Sequence, residues 1–141
     1  MDIRPITDRY HVAPQIDPAD APALAAAGFT RVICNRPDAE VPPSLQAAAV
    51  GEAVRAAGMD FELLPLTHQT MTAENVAKQA SLVEDAPGKV LAYCASGTRC
   101  SVIWALGQAG KRPTDEILAA TAGAGYALDG LRPALEAAAR D

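Results

Sequence analysis

The feature that most restricts what this chain can fold into is a regular alternation. Short β-branched or apolar runs follow one another along the chain. Each is separated from the next by a longer segment with helical spacing, closed by Gly or Pro. Phe29-Thr30-Arg31-Val32-Ile33-Cys34 reads as a buried strand, broken by Asn35-Arg36-Pro37-Asp38. Phe61-Glu62-Leu63-Leu64, stopped by Pro65, reads as a second, and Lys89-Val90-Leu91-Ala92-Tyr93 as the kind found at a sheet centre. The first segment, Ile3 to Ile16, alternates weakly and predicts one or two short edge strands. Strands that alternate with helices of ten or more residues build βαβ units and a largely parallel sheet.

The helix boundaries follow from capping chemistry. Asp17-Pro18 supplies an N-cap and a Pro at the first helical position, and Gly28 a C-terminal stop. Pro42-Pro43-Ser44 opens a second helix, Leu45 to Ala57, ended by Gly58. Thr72 caps a third, Ala73 to Glu84, and a fourth runs from about Cys100 to Ala109. Pro113 to Glu116 starts a fifth that reaches about Ala122, and Asp129 caps a last one to Ala139. The expectation is an α/β domain over residues 1–141, with four to five mainly parallel strands flanked by helices. With aromatic residues at only 4%, its core is built from Ala, Leu, Val and Ile. Trp104 packs the fourth helix onto the sheet.

Charge narrows the partners. A formal net charge of -5 argues against nucleic acid and against an anionic membrane surface. It still admits a small anion, which a few amides and one Arg can bind in an acidic protein. The three cysteines, Cys34, Cys94 and Cys100, form neither a disulfide framework nor a metal-binding pair. No metal or organic cofactor is implied. The opening residues lack a signal-like apolar run, and no stretch spans a bilayer, so a reducing cytoplasm is expected.

Ligands of open α/β sheets sit beyond the carboxyl ends of the strands. One such end is chemically distinctive. Cys94 directly follows the Lys89–Tyr93 strand and precedes a helix, with the small residues Ala95, Ser96, Gly97 and Thr98 between it and Arg99. Small residues let a loop curl so that its N–H groups converge on an anion, and the helix adds its positive end. Arg99 adds a planar fork. All three favour a thiolate at Cys94, a nucleophile at neutral pH. The bland alternative is an inert core cysteine.

The loop Cys94-Ala95-Ser96-Gly97-Thr98-Arg99 resembles the active loops of cysteine phosphatases and of rhodaneses. The wider chain resembles the beta-lactamase-hydrolase-like (DUF442) family, described both as phosphatases and as sulfurtransferases. The resemblance rests on Val12 to Ile16, Ala26-Ala27-Gly28-Phe29, Val32 to Glu40, Leu64-Pro65-Leu66, Cys94 to Arg99 and Ala122-Gly123 to Gly125-Tyr126. It implies a fold similar to dual-specificity phosphatases. Two departures bear on the chemistry. Cysteine phosphatases place five residues between Cys and Arg, whereas this chain has four, the length common in rhodaneses. A phosphatase also needs an acid for the leaving alcohol, yet the corresponding stretch, Thr67-His68-Gln69-Thr70, has no carboxylate. His68 is one substitute; Asp38 and Glu40 are others. Sulfur transfer needs no acid.

Both departures favour a sulfurtransferase that carries sulfane sulfur from thiosulfate or a persulfide on Cys94. A phosphatase working on a phosphate ester through a phosphocysteine is the alternative. A non-catalytic redox sensor or anion-binding module is a third reading. Cys100 is either a resolving thiol or a small residue in the first helical turn. Arg36 is either a second anion-binding group or the partner of Asp38 or Glu40. Cys34 is expected in the core, His11 in a structural or exposed place, and Tyr126 in a packing role.

Overall fold

The computed structural model describes residues 1–140. Its centre is a five-stranded sheet in the order β1-β2-β5-β3-β4. The strands are β1 (Arg4–Pro5), β2 (Tyr10–Ala13), β3 (Phe29–Cys34), β4 (Asp60–Leu63) and β5 (Lys89–Tyr93). β1 pairs antiparallel with β2, and every other pairing is parallel. The expected α/β class and strand number are therefore present. One expectation needs correcting: β2 is not an edge but lies between β1 and the central β5. Its short, weakly alternating sequence conceals this, because a strand buried on both faces needs no polar side.

Residues alternate faces along β5, and the alternation divides the core in two. Val90, Ala92 and Cys94 join one hydrophobic cluster, with Ile103, Trp104, Ile117 and Leu135. Leu91 and Tyr93 join the other, with Leu24, Val50, Val54 and Phe61. The helices follow suit. α1 (Ala21–Ala26) and α2 (Ala47–Ala56) cover the second cluster; α3 (Ala73–Glu84), α4 (Thr98–Gln108), α5 (Thr114–Gly123) and α6 (Arg132–Arg140) cover the first. Each fully buried Leu or Ile in these clusters contributes about 1.5–3 kcal/mol by leaving water.

Local chemistry explains most boundaries. Asp17 accepts the Ala19 amide at 2.9 Å and caps a 3-10 turn, Pro18–Asp20, that leads into α1. Thr72 caps α3, as expected, by accepting the Asn75 amide at 3.2 Å. α2 begins later than its sequence suggests, because Pro43–Leu45 forms a separate 3-10 turn. Gly51 lets α2 press on β4: a Cβ there would lie 2.8 Å from Phe61 Cδ2. Asp129 does not stand at the start of the last helix; it opens a 3-10 turn, Asp129–Leu131, that leads into α6 at Arg132. α4 is buried at every position from Arg99 to Ala105, which makes it the central helix of its layer. Trp104 stacks on Tyr10 with ring centroids 6.3 Å apart, holding α4 to β2 as expected. No helix among the described residues is long and apolar enough to cross a membrane.

Candidate active site

Cys94 leaves the end of β5 with its amide bonded to the Ala13 carbonyl at 3.3 Å, which ties the start of the loop to β2. The strand alternation aims its side chain under the first turn of α4. That helix starts at Thr98, two residues earlier than expected, with Gly97 in the N-cap position at φ 93°. No L side chain takes that conformation comfortably. The Gly97 amide donates to Cys94 Sγ at 3.1 Å.

The thiol of Cys94 is held down at a pKa of about 5, against an ordinary 9.0. The Cys100 thiol, donating to it, is the largest cause; the amides of Cys100, Ser96 and Gly97 add to it, and burial opposes. The cysteine is buried, yet its surroundings are polar where it counts: amides face the sulfur and Arg99 is 8% exposed. Not every loop amide turns inward, a correction to the expected nest. The Thr98 amide is taken by Ser96 Oγ at 3.3 Å. Ser96 and Thr98 hydroxyls lie 2.9 Å apart on the rim.

Arg99 is fixed along one edge of its fork. Nη1 donates to Glu40 Oε2 and to the Leu66 carbonyl, both at 2.8 Å, and Nη2 donates to Glu40 Oε1 at 2.8 Å. The hydrogen bond to Glu40 is the largest influence raising the guanidinium pKa, and the charge of Cys94 adds to it. Arg36 grips the other side of Glu40, Nε to Oε1 at 3.2 Å, and donates to Gln15 at 3.2 Å. Arg36 is therefore the partner of Glu40, one of its two expected roles, and Glu40 is not a free acid; the Arg99 guanidinium holds its carboxyl below the usual range. Asp38 is also withdrawn. Its carboxylate accepts the Ala47 amide at 2.9 Å and so caps α2 from outside.

Above the loop lies an open cleft of about 340 Å³, lined by Glu40, Thr67, His68, Gln69, Ala95, Ser96, Thr98 and Arg99. His68 is exposed on its wall. Cys100 is wholly buried beside Cys94, and burial, its largest influence, raises its pKa well above 9.0. All three cysteines are free thiols. Cys34 is a core residue, as expected; its thiol donates to the Arg36 carbonyl at 3.3 Å, and burial raises its pKa. His11 is half-buried, edge-on to Phe29 at 5.1 Å. Among the described residues, no three His, Cys, Asp or Glu gather to hold a metal ion.

Two supports are not legible in the sequence. Tyr126 does pack, but its hydroxyl also donates to the Ser96 carbonyl at 2.8 Å. Beneath the loop, the buried amides of Asn35 and Gln79 exchange two hydrogen bonds of 3.0 Å. Gln79 reaches on to the Tyr10 hydroxyl at 3.2 Å, which donates to the Cys100 carbonyl at 2.8 Å. The only sequence signal for this chain of contacts is a Gln on the inner face of an otherwise amphipathic helix.

The family model for the phosphatase-like domain of beta-lactamase hydrolase-like proteins matches residues 2–111. A beta-lactamase hydrolase-like protein of Agrobacterium fabrum is 36% identical over 104 residues, 74% of this chain and 24% of that protein. The chain spans about a quarter of the length of the curated relatives it matches. The crystal structure of a candidate phosphatase from Neisseria meningitidis is 34% identical, with a TM-score of 0.86 over 98% of this chain and 99% of that one. At the level of fold alone, PTPMT1 in complex with PI(5)P is 14% identical, with a TM-score of 0.70 over 97% of this chain and 98% of that one. The architecture is that of the dual-specificity phosphatases.

Proposed function

Because the chain belongs to the phosphatase-like domain family of beta-lactamase hydrolase-like proteins (DUF442), we propose that it is a cysteine-dependent phosphatase. This reverses the order expected from loop length, which put sulfur transfer first. The phosphatase-like family and structural relatives support hydrolysis of a phosphate ester, and none of them points to a rhodanese.

The observation that carries the reading is the free edge of Arg99. A guanidinium has five N–H donors. Glu40 and the Leu66 carbonyl take both hydrogens of Nη1 and one of Nη2. The Nε hydrogen and the second Nη2 hydrogen are left as a parallel pair, the geometry that binds two oxygens of a phosphoryl group at once. In the first step the Cys94 thiolate attacks phosphorus. An S–P bond forms, the P–O bond to the leaving group breaks, and Arg99 with the loop amides takes up charge on the equatorial oxygens. His68, on the cleft wall, donates a proton to the leaving oxygen. Water then attacks the phosphocysteine, releasing phosphate and restoring the thiolate. PTPMT1, with PI(5)P bound, is a phosphate-ester precedent on the same fold.

Sulfur transfer is retained as a second reading on a specific observation: among the described residues no free carboxylate reaches the cleft, because Asp38 caps α2 and Glu40 holds Arg99. In that reaction the thiolate attacks the outer sulfur of thiosulfate. An S–S bond forms, the old S–S bond breaks, and sulfite leaves without a proton. One experiment separates the two. Wild type and Cys94→Ser are incubated with an aryl phosphate and, in parallel, with thiosulfate, and intact mass is recorded. Phosphate release that disappears in Cys94→Ser supports the phosphatase. Addition of one sulfur atom without phosphate release transfers the assignment to sulfur transfer, and neither event refutes both.

A further inference from the structure

The thiolate of Cys94 depends on the direction of one peptide plane. The Ser96 carbonyl and the Gly97 N–H are the two ends of the same trans peptide and point in opposite directions. Gly97 N–H points at Cys94 Sγ, 3.1 Å away. The Ser96 carbonyl points outward and receives the Tyr126 hydroxyl at 2.8 Å. Gly97, lacking a side chain, offers little resistance to rotation of that plane. A flip would withdraw the N–H and turn a carbonyl oxygen toward the sulfur.

Tyr126 is built to prevent this. The residue is 7% exposed. The Arg4 guanidinium lies 5.5 Å above the ring centre, and Arg4 also donates to the Ala124 carbonyl at 3.3 Å. The hydroxyl sits where a Cβ on Gly97 would stand, so no residue larger than Gly fits beside it. We infer that Tyr126 is a positioning residue that locks the Ser96–Gly97 peptide with its N–H on Cys94. The inference rests on Cys94 being the nucleophile, but not on whether phosphorus or sulfur is transferred.

The lock acts through geometry rather than charge. Burial raises the pKa of Tyr126 above 10.0, so the phenol is neutral wherever Cys94 titrates. Removing its hydroxyl therefore deletes no charge from the groups around the sulfur, which are Cys100, Arg99 with Glu40 behind it, Cys34 and Tyr10. Tyr126→Phe keeps the ring and its contact with Arg4. Alkylation of Cys94 by iodoacetamide, resolved by peptide mass spectrometry across pH 4–9, should give a midpoint displaced upward in the variant. Near the wild-type midpoint the rate should fall about three- to tenfold, with little change above neutrality. A folded variant with the wild-type midpoint overturns the inference. If Tyr126→Phe does not fold, nuclear magnetic resonance of the wild-type protein tests the same lock. The Gly97 amide resonance should move with Cys94 ionisation, and the Tyr126 hydroxyl proton should be protected from exchange. A flat Gly97 amide, or a freely exchanging hydroxyl, overturns the lock. If Cys94→Ser retained full turnover, the nucleophile assignment would fail instead, independently of these titrations.

Discussion

Cys100 stands where its thiol touches the sulfur that does the chemistry, and replacing it with Ala tests the electrostatics of the site directly. Cys94 ionises at about 5 rather than 9.0, which amounts to about 5 kcal/mol in favour of the thiolate after burial has been overcome. Four donors share the work: the Cys100 thiol and the amides of Cys100, Ser96 and Gly97. A hydrogen bond to a charged acceptor contributes about 1.5–3 kcal/mol. The Cys100 thiol is the largest of the four contributions. Cys100→Ala should therefore move the midpoint from about 5 to roughly 6.5, with the amides holding the rest. Site-resolved alkylation of Cys94 is the assay, because Cys34 is also present. At pH 5.5 the rate should drop about eightfold, and at pH 7.5 it should barely change. Cys100→Ser, which restores a stronger donor, should return the midpoint to the wild-type value or below it. An unchanged midpoint in Cys100→Ala would refute the reasoning. So would an equal loss at both pH values, which signals altered access rather than altered ionisation.

Turnover of an aryl phosphate should show an acidic limb near pH 5, where the Cys94 thiolate is lost, and a pH–rate profile checks it. Ionisation also feeds stability. The folded-state pKa of Cys94 is depressed, so its contribution is complete above 9.0 and disappears as pH falls through about 5. Denaturant melts should therefore show wild type gaining about 2 kcal/mol on Cys94→Ala between pH 5 and pH 7. Glu40→Gln removes the bidentate partner that aims Arg99; kcat/KM should fall about 10–100-fold while the melting temperature changes little. Asn35→Ala leaves the buried Gln79 amide without its reciprocal partner. Thermal unfolding should show a loss of about 2–4 kcal/mol, the cost of stranding buried polar groups.

Much of the fold was legible because it is encoded within a few residues. Thr72 caps α3 through the amide three positions on. β5 and β3 have the expected bounds because their apolar runs are bracketed by turn residues. The nucleophile loop was legible for the same reason: a Cys at a strand end, four small residues and an Arg form one local turn. What failed involves distant partners. Arg99 and Glu40 are 59 positions apart, Asn35 and Gln79 are 44 apart, and Tyr126 and Ser96 are 30 apart. Asp38 looked like an acid because its use as a distant cap depends on where α2 begins.

The amino-acid order by itself determined the alternation of strands and helices, the two-faced core and the placing of a small-residue loop between β5 and α4. These follow from hydrophobic period, capping and backbone sterics, which act over one or two turns. Only the tertiary structure decided that β2 lies inside the sheet, that Glu40 rather than a substrate holds the outer edge of Arg99, and that Tyr126 reaches the Ser96 carbonyl. Hydrogen bonds depend on ångström-scale separation, and the separation of residues far apart in the chain is set by how the strands are ordered and the helices packed.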